Sequence, residues 1–475
     1  MMRRVLVGCW AVAFAFAVGC GFFAKPKPAA APPAPTVLAT AEMEQELELL
    51  DENVGFDKDK DLISTLDVER LGEVAVTAPG QPGIADEFPP SVIPADPSAV
   101  APNGLGGSSG YTIGDRGTSG GLGGNLPAAG FAGRSAATRS RLVAQTGCNS
   151  ASDAAVTRGL AWLSKQQKPN GTWAFDGQKS ADVPSATGMA LLPYLAAGCS
   201  HKPGTSNSAY NKTVMQGLKA LIASQNTDGS FNRSGDQYSH AIATLALVEA
   251  YGLTQDRALL HVSAQKAIDR LQQSQATDGS WGYSPHSAGD TSITGWQIQA
   301  IYAAKLTKVL KVDQKVLDKA NAFLDTVAEG KAKEKYGYRS PTGTPNMTAV
   351  GLLARVQSGA WTPENPGYVE GVKYLLANAV PQKELRDSYF VYYATQVLFR
   401  HGGEAWAKQW NPQVRDLLVS TQQTNDTGGL AGSWDRDQAI IGTNCGRLGT
   451  TALALLSLEV YYRYPQSEKP IEPAK

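Results

Sequence analysis

Cysteine is scarce, net charge is absent, and the familiar catalytic signatures are missing. Of five cysteines, Cys9 and Cys20 fall in the leader, which leaves Cys148, Cys199 and Cys445. No Cys-x-x-Cys spacing suggests a metal cage, and an odd remainder leaves at least one thiol free or paired with another chain. Basic and acidic residues number 43 each, so the formal charge is zero. No basic run gathers on one face as it does in a nucleic-acid binder, and no nucleic-acid partner is expected. Gly-x-Ser-x-Gly and His-Glu-x-x-His are both absent, so the common hydrolase routes have no support. The glycine-rich run from Gly104 to Gly124 lacks the strand, Gly-x-x-x-x-Gly-Lys-Ser/Thr and helix of a phosphate loop.

What is present divides into an address, a tether and a repeat domain. Arg3 and Arg4 precede an apolar run from Val5 to Val18. That run is shorter than the ~20 residues a helix needs to cross a bilayer, so residues 1–20 read as an export signal. Ala17-Val18-Gly19-Cys20 resembles a bacterial lipobox, with Ala17 where a leucine usually stands. It predicts a lipoprotein with Cys20 lipidated and the protein held to a membrane of the cell envelope; the alternative is an ordinary signal cleaved near Ala24. Residues 21–40 form a Pro/Ala tether. Residues 41–76 are acidic, with Met43, Leu47 and Leu50 spaced for one face of a short helix. Residues 77–145 read as a Gly/Pro/Ser-rich linker, so the whole N-terminal region is expected to be mostly disordered.

From about Ala151 the chain repeats itself. Gln166…Gly171-Thr-Trp173, Gln225…Gly229-Ser-Phe231 and Gln275…Gly279-Ser-Trp281 share one pattern, and a looser copy ends in Gly432-Ser-Trp434. The period is about fifty residues, which announces a stacked or circular array. Asn170-Gly171, Asp228-Gly229 and Asp278-Gly279 are turn dipeptides. Gln166, Gln225 and Gln275 stand where a helix ends, so their amides are expected to bond its orphan carbonyls, with the aromatic residue covering the junction.

Around these turns two classes of helix alternate. The wetter class is predicted over Ala151–Lys165, Lys212–Ser224, Ser263–Ser274, Gln314–Glu329, Gly367–Asn378 and Asn411–Ser420. The second class is apolar all round and starts near Ser185, Ser239, Ser292, Thr348, Tyr389 and Gly449. An all-round apolar helix must be buried. The expectation is an all-α fold, an (α/α)6 toroid of about six helix hairpins over residues 150–465, followed by a tail at 466–475.

Gln, a turn, and Gly-Ser/Thr-Trp ahead of an apolar helix resemble the QW repeat of triterpene cyclases and the related repeat of protein prenyltransferase β-subunits. With Gly159-Leu-Ala-Trp162-Leu163, Asp290-Thr-Ser-Ile-Thr-Gly-Trp296 and Thr451-Ala-Leu-Ala-Leu-Leu-Ser-Leu-Glu459, the chain is similar to bacterial prenyltransferase/squalene-oxidase repeat proteins. The resemblance places reactive groups at the N-terminal ends of the inner helices, around the mouth of a central cavity. Asp290, His240, Tyr389 and Arg447 are the catalytic candidates carried over in this way. The cyclases protonate an alkene with Asp-x-Asp-Asp-Thr, whereas Ser287-Ala288-Gly289-Asp290-Thr291 keeps only the last aspartate and has Gly289 at the donor's position. The prenyltransferases bind zinc through Asp-x-Cys, which is absent; Asp290, His240 and Cys445 are the weak zinc candidates, and no cofactor is predicted. The Gly-Cys-Gly-Glu-Gln of complement-like thioester domains is also missing.

These absences favour a module that binds a ligand or a partner protein at the mouth. The alternative is a terpenoid cyclase/prenyltransferase-like or polysaccharide-acting enzyme. The anchor makes a separate prediction. Radiolabelled palmitate should enter the parent protein and not Cys20→Ala.

Overall fold

The computed structural model describes residues 128–464, apart from 204–207, 232–235 and 382–383. The expected leader, tether, acidic segment and tail lie outside the described residues, as does the linker up to residue 127. The last part of that linker is ordered. Ala129–Arg134 forms a short 3-10 helix and Ala136–Thr146 the helix α1, with Phe131 and Arg134 buried. One aromatic ring and one arginine anchor this stretch, too sparse a pattern to read as periodic.

Beyond it, wet and apolar helices alternate as expected. They are α2 (Ser150–Lys165), α3 (Val183–Ala196), α4 (Asn211–Ser224), α5 (Gln237–Thr254), α6 (Val262–Gln273), α7 (Thr291–Thr307) and α8 (Gln314–Thr326). Then come α9 (Pro345–Gln357), α10 (Pro366–Asn378), α11 (Ser388–His401), α12 (Asn411–Thr421), the short α13 (Ile440–Asn444), α14 (Gly446–Leu458) and α15 (Val460–Arg463). The inner helices α3, α5, α7, α9, α11 and α14 pack each on the next, and α14 packs back on α3. The ring is closed. The fold is an (α/α)6 toroid.

Small residues set how near the inner helices come. A Cβ added at Gly188 of α3 would lie 3.0 Å from both Ala243 Cα and Ile242 O of α5, so a larger residue there would wedge two backbones apart.

The repeated motif is a clamp between neighbouring hairpins. Gln225 donates to Gly229 O (3.1 Å) and Ser263 O (3.0 Å); Gln275 donates to Gly279 O (2.9 Å) and Val316 O (2.8 Å). Gln422 donates to Gly432 O (2.9 Å) and Ala155 O (2.8 Å), joining the last outer helix to the first. In the first repeat the clamp is Gln167, bonded to Gly171 O and Thr213 O at 3.0 Å each. Gln166, the expected residue, is exposed and caps α2 only through its backbone. In the first three repeats the spacing is four residues from glutamine to glycine, which Gln166 does not satisfy; the expanded turn of the last copy widens it to ten.

The amides therefore do not serve the orphan carbonyls of their own helices. The indoles do. Trp173 Nε1 donates to Leu163 O (2.7 Å), Trp281 to Leu271 O (2.9 Å) and Trp434 to Leu418 O (2.8 Å). Phe231 has no such donor, and there the Ser224 hydroxyl bonds Leu221 O at 2.8 Å. Gly279 shows why the turn must be glycine: its φ is +88°, and a Cβ would lie 2.0 Å from Lys319 O on α8.

Hairpin four departs from the pattern. Its outer helix stops at Thr326, and Ala328–Glu329 pairs antiparallel with Lys335–Tyr336. Tyr336 takes the place of the tryptophan. Its N–H bonds Thr348 Oγ1 (3.1 Å), as Trp281 N–H bonds Thr294 Oγ1 (3.2 Å), and its hydroxyl accepts from Arg355 Nε at 3.0 Å.

The two ends of the domain meet at one buried carboxylate. Arg134 Nη1 reaches Glu249 Oε2 at 2.8 Å and Arg463 Nη2 reaches Glu249 Oε1 at 2.9 Å, with all three side chains buried. The Tyr464 hydroxyl donates to the same oxygen, and Arg134 Nε donates to Arg463 O at 2.9 Å. Burial alone would raise the Glu249 carboxyl; Arg134 and Arg463 hold it below its usual range.

The clamp register yields a paired prediction. Gln167→Ala should lower unfolding free energy in urea by about 1–3 kcal/mol, because it breaks two hydrogen bonds across a helix junction. Gln166→Ala should change it by less than about 0.5 kcal/mol. Equal losses in the two variants would show that the register is wrong.

Candidate functional site at the inner-helix mouth

Carboxylates surround one end of the ring because each opens a helix. Asp182, Asp236, Asp290 and Asp387 accept backbone N–H bonds at the starts of α3, α5, α7 and α11, and Thr344 does so for α9. An anionic acceptor is favoured there by the exposed amides and the helix dipole.

Asp290 is the most enclosed of these, with 0% exposure. Its Oδ1 accepts from Ser292 N (2.9 Å), Ser292 Oγ (2.5 Å) and Ile293 N (3.1 Å). Its Oδ2 is buried without a hydrogen-bond partner; the cation facing it is Arg339, with Nη2 at 3.8 Å. Tyrosines surround the carboxyl group. The Tyr238 hydroxyl shares a short bond with Ser292 Oγ. The Tyr283 and Tyr338 hydroxyls are 3.0 Å apart, and the rings of Tyr238 and Tyr283 are 5.8 Å apart. Tyr283 and Tyr338 are 47% and 40% exposed, so they form the outer lip. Burial, then the Tyr283 hydroxyl and the Asp290 carboxylate, push the Tyr338 phenol up.

Deeper in, side chains cross the ring axis. Trp296 of α7 stacks on Tyr392 of α11 at 5.7 Å and 16°, and meets Tyr393 edge-on at 5.9 Å. Gln299 donates to Tyr393 Oη (2.7 Å) and accepts from the Tyr392 hydroxyl (2.7 Å). Because α7 and α11 are not neighbours in the ring, these contacts fill its centre. Arg463 Nη1, which donates to Tyr392 Oη at 2.9 Å, carries the packing down to Glu249.

Tyr389 lies beside this plug. Its ring is 4.7 Å from Tyr393, its hydroxyl is buried without a hydrogen-bond partner, and burial pushes the phenol well above its usual range. Asp290 and Tyr389 thus belong to one neighbourhood.

His240 and Arg447 do not join them. His240 turns toward the outer helix α6, where Nε2 lies 3.1 Å from Ala267 O and the ring stacks on Phe231 at 5.8 Å. Arg447 binds Ser433 Oγ at 3.0 Å and pairs with Asp435, beside the last tryptophan junction. Cys445 stands at the start of α14, its thiol pushed up to about 12 by burial and then by Asp182 and Asp437. Among the described residues no three His, Cys, Asp or Glu side chains come together as a metal site would require, so Asp290, His240 and Cys445 do not converge.

Tyr283, Tyr338 and Arg339 were not anticipated. Their signal is a second, smaller repeat: Trp281-Gly282-Tyr283-Ser284-Pro285 and Tyr336-Gly337-Tyr338-Arg339-Ser340-Pro341 each place a tyrosine two residues after the junction aromatic.

No protein-family model matches the chain, and no curated protein matches it. Solved structures do. The type II terpene cyclase MstE from Scytonema, as a variant in complex with geranylgeranyl dihydroxybenzoate, aligns at 14% identity and a TM-score of 0.46, covering 66% of this chain and 97% of its own. An inactive variant of an α-1,6-mannanase from Salegentibacter, in complex with α-1,6-mannotriose, aligns at 12% identity and 0.47, covering 64% and 99%. An α-amylase from Clostridium perfringens aligns at 12% identity and 0.45, covering 65% and 98%.

His240 provides a pH test. Burial lowers its pKa from 6.5 to about 4, so the unfolded chain binds its proton first as pH falls. Its contribution to stability is complete above about pH 6.5 and is lost progressively toward pH 4, by about 3 kcal/mol in all. Urea unfolding of the parent and of His240→Gln across that window should show the extra loss only in the parent. Parallel curves would rule out a buried neutral imidazole.

Proposed function

We propose that the toroid is a binding module that receives a ligand or partner protein at the inner-helix mouth, on a chain exported and tethered to a membrane by lipid at Cys20. The observation that carries this reading is the crossing of the ring axis by Trp296, Tyr392, Tyr393 and Gln299. An interior packed this way leaves the mouth, with its exposed tyrosines and the unpaired Asp290 oxygen, as the place where new contacts can form. Exposed aromatic faces around a buried polar group are what small-ligand sites are made of. The reading calls for no metal, no cofactor and no nucleic acid.

A second reading is favoured by Asp290 itself. A carboxyl group with one oxygen saturated and the other buried and unpaired is suited to acid–base work. With Tyr389 nearby it would serve a terpenoid-type or polysaccharide-acting enzyme.

One preparation separates the two. Native mass spectrometry of the protein purified from its own membrane should reveal a co-purifying molecule. Tyr283→Ala/Tyr338→Ala should lose it and His240→Gln should retain it. Elemental analysis of the same preparation should return no stoichiometric metal. Turnover of a polyprenyl or glycan substrate that disappears in a folded Asp290→Asn variant would overturn the binding reading in favour of the enzyme, since asparagine caps a helix nearly as well as aspartate.

A further inference from the structure

Asp290 has an imbalance that its neighbours do not correct. Three donors crowd Oδ1, whereas Oδ2, equally enclosed, has none. A buried carboxylate oxygen without a donor is costly. Beside the carboxylate stand the Tyr338 phenol, which interacts with it, and Arg339, whose Nη2 stops at 3.8 Å, beyond hydrogen-bond reach. Its side chain is 55% exposed, so it covers the carboxylate without being packed in place.

Backbone geometry explains why Arg339 stops short. Thr291 N–H donates to Tyr338 O at 3.0 Å, and Thr291 Oγ1 donates to Gly337 O at 2.6 Å. The residue before Arg339 is thereby pinned to the start of α7. The guanidinium reaches inward along the Tyr338 ring, with its central carbon 5.3 Å from the ring centroid.

We propose that the mouth of α7 is a receptor for an organic cation with N–H donors, a primary ammonium group, and that Arg339 is the built-in occupant it displaces. This deepens the binding-module reading and rests on it. The receptor has two parts. The first is Asp290 Oδ2, which lacks only a donor. The second is the aromatic wall of Tyr338, Tyr283 and Tyr238, whose faces attract a cation. An anion would face the Asp290 carboxylate, with which it shares its sign. A neutral polyol would have to expel Arg339 and leave the carboxylate without a counter-charge. A tetrahedral ammonium is more compact than the guanidinium fork and is not tied to the pinned loop, so it can approach Oδ2 to hydrogen-bond distance.

Calorimetric titration with n-butylammonium tests the proposal. Arg339→Ala, a change at an exposed side chain, should bind n-butylammonium roughly tenfold more tightly than the parent, because the internal competitor is gone. Asp290→Asn should bind it in neither background. Tetramethylammonium, which has no N–H, should gain less from Arg339→Ala than the primary amine does. Nα-acetyl-lysine methylamide distinguishes the source: tighter binding than n-butylammonium assigns the site to a protein lysine, and equal binding to a free amine. An Arg339→Ala variant that binds no more tightly, or equal gains for the two ammonium ions, would overturn the proposal. A neutral molecule co-purifying at the mouth would do the same while leaving the binding module intact.

Discussion

Four of the six junctions in this ring depend on one side-chain amide spanning two backbone carbonyls. A helix hairpin cannot bury its own apolar inner helix; it needs a neighbour on each side. The Gln225 and Gln275 amides fix the distance to that neighbour, each joining the carbonyl of its own turn to the first turn of the next outer helix. The glycine between them leaves no room for slack, since any Cβ would strike that same neighbouring helix. The indole then satisfies the leucine carbonyl that the outer helix leaves open. Three donors and one close approach act together, which is why the unit recurs as a block. Gln422 performs the same task between the last outer helix and the first, so a ring results and not an open superhelix.

The mouth follows from this geometry. Apolar inner helices leave their starting amides exposed at one end, and short acidic side chains are the favoured acceptors. Two of these carboxylates are engaged through both oxygens: Asp236 holds Tyr238 N and Lys179 Nζ, and Asp387 holds Phe390 N and Asn346 Nδ2. Asp290 differs because its second oxygen faces tyrosines and an arginine from loops. The same capping chemistry thus produces ordinary structure at some positions and an unsatisfied group at one.

The architecture was legible in the sequence because burial is periodic. The outer helices carry one wet face, and their expected limits differ from the observed ones by a residue, as in Lys212–Ser224 against Asn211–Ser224, except in hairpin four, where the expected Gln314–Glu329 stops at Thr326. The ends of hairpin four were not legible, because a two-residue strand pair replaces the Gly-Ser-Trp turn. Site geometry was the least legible. In α5 every residue from Ser239 to Thr254 is buried, so the apolar pattern has no face and cannot say whether His240 looks toward the axis or the outer shell. Asp290 was found because a helix start is visible in sequence. Arg339 was not, because its position depends on a loop pinned by Thr291.

The Glu249 junction bears on how such a ring is made. Arg134 and Arg463 stand 329 residues apart yet share a hydrogen bond and a counter-ion. In an incomplete ring that carboxylate lacks its second cation and α3 lacks its last neighbour. An open arc exposes an apolar edge until α14 packs on α3. Closure is a loop-forming step of the longest span the domain allows, and its entropic demand falls on the last packing event of the ring. A ring built this way is most prone to stick to a second copy of itself while it is still an open arc.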